Sequence, residues 1–217
     1  MNEAKRRKIA ERVARQLPGG ALVNLGIGIP TLVPNFIPKG KKVFFHSENG
    51  FIGLGPGPKA GEEDSDLINA GGKAATILPG GAFFDSAMSF AIIRGGHVDY
   101  TILGALEVDE EGNLANYKIP RKFVPGIGGA MDLATGARNV IIAMEHLNKY
   151  GRSKILRNCS LPLTAKREVD IIVTDLAFIR VTKKGLVLEE VSEDATIEEV
   201  VAKTEAKLTL AANIGKF

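Results

Sequence analysis

Five short apolar runs, separated by glycine-rich turns and helical patterns, most constrain what this chain can fold into. They are ALVNL (21–25), KVFFHS (42–47), TILGAL (101–106), NVIIAM (139–144) and DIIVT (170–174). Runs that are apolar without alternation are typical of strands covered on both faces, as in a parallel sheet. The sequence therefore predicts an α/β fold with a single open, mixed and mostly parallel β-sheet flanked by helices, in one domain over residues 1–217.

Helix and hairpin patterns occupy the segments between these runs. Residues 31–37 predict a helix interrupted at Pro34, and residues 86–96 predict a helix stopped by its glycines. Towards the C-terminus, residues 177–192 predict an antiparallel hairpin. Thr196 then begins a capping box for a further helix. In an open α/β sheet ligands bind beyond the carboxyl ends of the strands, so that edge is the place to look for chemistry.

Composition and charge exclude several classes of protein. The net charge of the 217 residues is +3 and no Lys/Arg stripe interleaves with aromatics, so nucleic-acid binding has little support. No run of about 18 apolar residues is present, so the sequence predicts no membrane span. The basic segment 1–17 lacks the apolar core of a signal peptide, and its stripe of Ile9, Val13 and Leu17 predicts an amphipathic surface helix. One cysteine, Cys159, excludes an internal disulfide and fits a reducing cytoplasm.

The turn after the first apolar run imitates a dinucleotide-binding loop. Gly26 and Gly28 follow a strand, and Glu48 lies 20 residues beyond Gly28, where that fingerprint expects an acid. The third glycine of the fingerprint is replaced by Thr31, and Pro30 intervenes. Binding of a dinucleotide or of a sugar phosphate therefore remains open as an alternative function.

Metal and serine or cysteine chemistry have little support. His46, His97 and His146 are dispersed, with no spacing typical of ligands, so no metal site is predicted and each is interpreted as a packing or surface histidine. No Gly-x-Ser-x-Gly turn nominates a serine nucleophile. Cys159 is interpreted as a small buried apolar residue.

Glu48 is the candidate reactive group, because it ends a strand and is followed by a glycine-rich turn. A glutamate carboxyl group in water has a pKa of about 4.3, so it is ionised at neutral pH and attacks without a general base. Such a nucleophile needs an oxyanion hole, and the Asn24 amide and the backbone N–H groups of Gly128 and Gly129 are candidate donors. The residues alone leave a second interpretation open, in which Glu48 caps a turn and Asn24 stabilises a loop.

The stretch FHSENGFIG (45–53) resembles the signature around the catalytic glutamate in the B subunit of family I coenzyme A-transferases of the 3-oxoacid (acetoacetate) type. Further blocks in the same order are similar to that family: VNLGIGIPTLV (23–33), the block at 84–116, VPGIGGAMDLATGARNVIIAMEH (124–146), CSLPLT (159–164) and VDIIVTDLAFIRV (169–181). The resemblance covers nearly the whole chain and implies the CoA-transferase, NagB/RpiA-like architecture.

The resemblance implies that CoA moves from an acyl-CoA to a short-chain carboxylic acid by a ping-pong route through a glutamyl-CoA thioester. In this sequence Glu48 falls on the family's nucleophile, Asn24 on its oxyanion-hole asparagine and Gly129 on the second glycine of its Gly-Gly-Ala-Met block. Gly128 is expected to line the oxyanion hole together with Asn24 and Gly129. Five further residues are expected to support the site by building its turns. They are Gly26, Gly28, Ser47, Asn49 and Gly50.

The same resemblance implies a partner, because family enzymes combine an A half and a B half and only the B half is present here. We expect a separate A (alpha) subunit in an A2B2 heterotetramer, no permanently bound cofactor, and CoA or acyl-CoA as substrate. Ketone-body and short-chain fatty acid metabolism are the settings that the family implies, but the preferred acid does not follow from the sequence. A catalytically silent assembly subunit is a further alternative.

Overall fold

The computed structural model of the protein describes residues 3–122 and 126–217. Residues 1 and 2 of the N-terminal segment lie outside these ranges, and so do residues 124 and 125, the first two of the 124–146 block. The helices are α1 (Glu3–Gln16), a 3-10 helix (Ile29–Phe36), α2 (Ser86–Arg94), α3 (Ala130–Gly136) and α4 (Ile197–Lys203). The strands are β1 (Leu22–Leu25), β2 (Phe44–Ser47), β3 (Phe51–Leu54), β4 (Ile77–Phe83), β5 (Tyr100–Leu103), β6 (Glu107–Asp109), β7 (Leu114–Ala115), β8 (Val140–Ala143), β9 (Ile155–Leu156), β10 (Ile171–Val173), β11 (Ala177–Thr182), β12 (Gly185–Val191) and β13 (Leu208–Lys216).

The large sheet is mixed, and the five apolar runs form its centre. Its strand order is β13-β12-β11-β10-β8-β5-β1-β2-β3-β4. From β10 to β2 all neighbours are parallel, so the carboxyl ends of β1, β2, β5, β8 and β10 share one edge. The predicted α/β fold with a mostly parallel central sheet is therefore confirmed.

Both faces of the central strands are buried, which explains why their sequences do not alternate. On β8, Val140 and Ile142 pack into one hydrophobic cluster, and Ile141 and Ala143 pack into a second cluster on the opposite face. Helix α1 covers the second face, and its stripe of Ile9, Val13 and Leu17 is fully buried, as predicted. Apolar side chains are therefore favoured at most positions of these strands.

The two ends of the sheet add strands that the sequence pattern does not reveal. β3 and β4 extend it in antiparallel fashion beyond β2. Gly53, at φ +96°, faces Gly81 so closely that a Cβ on it would lie 2.8 Å from the Gly81 Cα. Glycines stand in place of β-forming residues where the backbones of β3 and β4 meet, so the sequence pattern of these strands indicates turns instead. At the other end β13 pairs with β12, and β7, β6 and β9 form a separate three-stranded sheet.

The predicted hairpin and two of the predicted helices are confirmed, and the helix around Pro34 differs from the prediction. β11 and β12 form the predicted antiparallel hairpin. Asp85 caps the start of α2 and Gly95 its end, while Thr196 caps α4 by accepting a hydrogen bond from the Glu199 N–H. The segment around Pro34 is a continuous 3-10 helix to Phe36 rather than an interrupted α-helix. Among the helices in the described ranges, none has the length and apolar character needed to cross a membrane.

Candidate active site

Glu48 lies in a three-residue connection between two antiparallel strands. Ser47 at the end of β2 pairs with Phe51 at the start of β3, and the Gly50 N–H donates to the Ser47 carbonyl at 3.0 Å. Gly50 has φ +135°, and a Cβ there would collide with the Phe84 carbonyl oxygen. Only glycine fits both constraints, so this turn, which presents Glu48 at the carboxyl edge of β2, depends on Gly50.

Ser47 and Asn49 tie the turn to the long loop that follows β3. The Ser47 hydroxyl donates to Asn49 Oδ1 at 2.6 Å and accepts from the Ala70 N–H at 3.1 Å. Asn49 Nδ2 donates to the Ile68 carbonyl at 2.7 Å. The two side chains therefore brace the turn, which is the arrangement expected of supporting residues.

The Glu48 carboxylate is half-buried against the start of α3. It accepts a hydrogen bond from the Gly129 N–H, and a Cβ at Gly129 would lie 2.8 Å from Glu48 Oε1. Burial raises the pKa of Glu48, the Gly129 N–H opposes that change, and the nearby Asp132 carboxylate adds to it. A desolvated carboxylate beside a backbone donor is suited to attack an electrophilic carbonyl group.

Asn24 lies one strand away and bonds to His46 instead of Glu48. On β1 it is in register with His46 on β2 and Thr101 on β5. Its side chain is 1% exposed, and its Nδ2 lies 3.1 Å from His46 Nδ1 and 3.3 Å from the His46 carbonyl oxygen. The structure therefore places Asn24 on the strand next to β2, bonded to His46, the residue two positions before Glu48.

The other glycines shape the edge without contacting the carboxylate. Gly26 packs on β5, where its N–H donates to the Ile102 carbonyl at 2.8 Å and a Cβ would lie 3.0 Å from that oxygen. Gly28, at φ +99°, starts the 3-10 helix. Gly128, at φ +54°, is exposed and turns the chain into Gly129. Of the two candidate donors, Gly128 and Gly129, it is Gly129 whose N–H bonds to Glu48.

The comparison with known proteins decides the family. A family model described as coenzyme A transferase matches residues 6–203. The chain is 54% identical over 209 residues to the beta subunit of the acetate CoA-transferase of Escherichia coli K12, covering 96% of this chain and 95% of that protein. The chain belongs to the coenzyme A transferase family.

Other proteins similar to this chain agree with that placement. It is 50% identical over 214 residues to the B subunit of a probable succinyl-CoA:3-ketoacid coenzyme A transferase of Bacillus subtilis, covering 99% of each chain. Its fold matches an acyl-CoA transferase apoenzyme of Escherichia coli O157:H7 with a TM-score of 0.78 at 19% identity. That match covers 98% of this chain and 43% of the other, so this chain spans less than half of that neighbour's length.

Three other features of the sequence bear on alternative kinds of site. The Gly26–Gly28 turn leads into a 3-10 helix instead of the long α-helix that holds a pyrophosphate. Residues 3–122 and 126–217 contain no group of three or more His, Cys, Asp or Glu side chains that could hold a metal ion. Burial raises the pKa of the half-buried Cys159 thiol, which disfavours the reactive thiolate.

Two buried residues beside the candidate site were missed by sequence reasoning. His46 is buried at 1% exposure, as a packing histidine would be, but it also bonds to Asn24 and to Ser89 on α2. Ser89 is fully buried and lies 43 residues further along the chain. A serine on the apolar face of a predicted helix was the one available signal, because such a position favours an apolar residue.

Proposed function

We propose that this chain is the beta subunit of a coenzyme A-transferase that moves CoA between an acyl-CoA and a short-chain 3-oxo carboxylic acid. The observation that carries the proposal is the Glu48 carboxylate, half-buried and bonded to the Gly129 N–H at the carboxyl edge of the sheet. Raising the pKa of a carboxylate makes it more basic, and a more basic oxygen is the better nucleophile towards a thioester. The whole chain, residues 1–217, acts as one domain of this enzyme.

The first half-reaction consists of two acyl transfers at Glu48. A Glu48 oxygen attacks the thioester carbonyl carbon, the C–S bond breaks, and CoA leaves as a thiolate while an acyl-glutamyl anhydride remains. The thiolate then attacks Cδ of Glu48, and the bond to the acyl carboxylate oxygen breaks. The first acid is released as a carboxylate and Glu48 holds CoA as a thioester. No net proton is taken up, so no general base is required.

The second half-reaction reverses these steps with another acid. Its carboxylate attacks Cδ of the Glu48 thioester, and the thiolate leaves as an acyl-glutamyl anhydride forms. The thiolate then attacks the new acyl carbon, the bond from that carbon to the Glu48 oxygen breaks, and acyl-CoA is released with Glu48 again a free carboxylate. Each tetrahedral intermediate carries negative charge on a former carbonyl oxygen. The Gly129 N–H, already at the reacting carboxylate, and the Asn24 amide are assigned to that charge, and one such donor is typically worth about 10²–10³ in rate.

The proposal includes a partner subunit. The two relatives described above are each named as a B or beta subunit, which supports an alpha subunit for this chain. An A2B2 heterotetramer is the assembly that we propose for the two subunits. CoA and acyl-CoA are substrates, and no permanently bound cofactor is part of the proposal. A cytoplasmic location fits the single cysteine of the chain. Because the two relatives are named for different acids at 54% and 50% identity, the preferred acid has to come from an activity panel.

The test is mass spectrometry of the complex with its alpha subunit, mixed with acyl-CoA in the absence of an acceptor acid. A CoA adduct should appear on the peptide containing residues 46–50 and should vanish when the acceptor acid is added. Glu48→Ala should form no adduct and show no exchange. The chain without its partner should be folded but essentially inactive. An adduct on Cys159 or Ser47, or turnover by Glu48→Ala, would refute the assignment.

A further inference from the structure

Behind the Glu48 turn three polar side chains form a buried row. Asn24 on β1, His46 on β2 and Ser89 on α2 are 1%, 1% and 0% exposed. Asn24 Nδ2 lies 3.1 Å from His46 Nδ1, and His46 Nε2 lies 3.0 Å from the Ser89 hydroxyl oxygen. His46 and Ser89 take no part in the steps described above, so the row requires a separate explanation.

The hydrogens of this row follow from the chemistry of its members. Burial lowers the pKa of His46 to about 4, so at neutral pH the ring carries one N–H and one lone pair. Asn24 Nδ2 is a donor only, so His46 Nδ1 accepts and the ring hydrogen lies on Nε2, directed at Ser89. The second amide hydrogen is directed to the His46 carbonyl oxygen at 3.3 Å. Both hydrogens of the Asn24 amide are therefore used by His46.

This arrangement leaves the wrong end of the Asn24 amide free. Its Oδ1 is buried and has no hydrogen-bond partner among the described residues. A buried polar atom without a partner is destabilising, so this orientation of the amide carries a penalty. An acceptor oxygen also repels a developing oxyanion, whereas the function assigned to Asn24 requires a donor. The amide has to turn over before it can serve the reaction.

We propose that His46 and Ser89 are positioning residues that switch the Asn24 amide between a resting and a donating orientation, an inference that rests on the proposed function. In the donating state His46 carries its hydrogen on Nδ1 and donates to Asn24 Oδ1. The Ser89 hydroxyl then donates to His46 Nε2 instead of accepting from it. The Asn24 NH2 group takes the place of the free Oδ1 and donates to the substrate oxygen.

The protons of the two states balance. Each state contains one hydrogen on the imidazole ring and one on the Ser89 hydroxyl. The change of tautomer moves one hydrogen from Nε2 to Nδ1, so the row keeps its charge. A hydroxyl both donates and accepts, which is why serine suits this position and a one-way donor such as lysine would hold the ring in one tautomer.

The surroundings restrict the movement to hydrogens and one amide group. The His46 ring stacks on Phe84 with centroids 6.1 Å apart and planes 15° from parallel. Its backbone is paired on both sides, with Asn24 on β1 and Ile52 on β3. The imidazole ring is therefore held in place, and the Asn24 amide is the heavy-atom group that turns.

The kinetic test uses Ser89→Ala in the complex with the alpha subunit. Loss of the hydroxyl removes the hydrogen-bond partner of His46 Nε2 in both tautomers. The kcat should therefore fall about 10- to 100-fold, which is at most the effect of losing one oxyanion donor. The KM should stay within about twofold of wild type. Ser89→Thr should restore most of the rate. Thr204→Val is the matched control, because it removes a hydroxyl 2.9 Å from the buried ring of His146. Its kcat should stay at the wild-type value.

A double variant tests whether Ser89 acts through Asn24. If it does, Ser89→Ala should slow wild type but add nothing to Asn24→Ala. Multiplying penalties, or a wild-type kcat in Ser89→Ala, would overturn the positioning role. If the wild-type complex forms no CoA adduct at Glu48, the proposed function itself fails. The two failures are therefore distinguishable.

A spectroscopic test observes the tautomer directly. The chain has three histidines, so selective ¹⁵N labelling of histidine gives few signals, and a His46→Gln spectrum assigns the relevant pair. The free complex should show the hydrogen of His46 on Nε2. The glutamyl-CoA form, made with acyl-CoA and no acceptor, should show it on Nδ1. The same tautomer in both forms would overturn the switch.

Discussion

Gly129→Ala is the sharpest test of the contact between Glu48 and the start of α3. Gly129 has φ −83° and ψ 6°, which alanine adopts without strain. The added methyl group, however, would lie 2.8 Å from Glu48 Oε1 and 3.1 Å from Phe90 Cζ. The methyl group cannot move away from the carboxylate because the Phe90 ring lies close to it as well. The carboxylate therefore has to retreat.

The size of the effect follows from these distances. Ordinary contact between heavy atoms is about 3.5 Å, so the carboxylate oxygen has to move by about 0.7 Å. A misplacement of about 1 Å costs about 10²-fold in rate, so we expect kcat to fall about 10- to 100-fold, or ~1.4–2.7 kcal/mol in the barrier. Stability should change by about 1 kcal/mol or less, the usual cost of alanine at a helix N-cap.

The assay combines steady-state CoA transfer in the complex with its alpha subunit, the rate of CoA-adduct formation, and calorimetry of the chain. Gly19→Ala is the matched control, because nothing lies within 4 Å of a Cβ at Gly19 and its φ is ordinary. A Gly129→Ala enzyme with kcat within twofold of wild type would refute the geometry. A collapse of Tm with normal activity in the folded fraction would show that Gly129 serves only the fold.

Three further predictions concern charge and packing. Glu48→Gln should abolish transfer yet raise Tm at neutral pH, because burial raises the pKa of Glu48 and its ionised form therefore destabilises the folded state. In calorimetry this advantage should shrink as the pH falls through the raised pKa, where wild type becomes protonated, and an advantage that grows on acidification would contradict the sign. Arg12→Ala should lower the free energy of unfolding by about 2–3 kcal/mol in denaturant titrations. The buried Arg12 guanidinium bonds to both Glu190 oxygens at 2.6 Å and lies over Phe178, 3.9 Å from the ring centroid. A loss below about 0.5 kcal/mol would rule out that role. Gly50→Ala should destabilise the folded chain by about 3 kcal/mol or more, since it combines a positive φ with a backbone collision at Phe84. Gly57→Ala is its control and should unfold like wild type, because the space around a Cβ at Gly57 is open.

Local patterns were enough to predict the centre of the fold. β1, β2, β5, β8 and β10 are mostly buried and mostly apolar, and this property is visible in each segment without knowledge of its neighbours. The stripe on α1 and the caps of α2 and α4 are equally local, because a helical face repeats every three to four residues and a cap involves residues within one turn. β3 and β4 escaped prediction because their pairing depends on Gly53 and Gly81 meeting across two strands.

The candidate site divides along the same line. By itself the sequence determined that the chain turns just after Glu48, because the end of an apolar run and the glycines at 50 and 53 lie within a few residues of it. Only the tertiary structure decided what faces that carboxylate, because Gly129 reaches it from α3.

The same reason applies to the row formed by Asn24, His46 and Ser89. It joins β1, β2 and α2, and no spacing in the chain encodes which way an amide turns or which ring nitrogen carries a hydrogen. Those choices follow from burial and from the partners that packing brings within hydrogen-bond distance, so they exist only once the sheet and the helix have assembled.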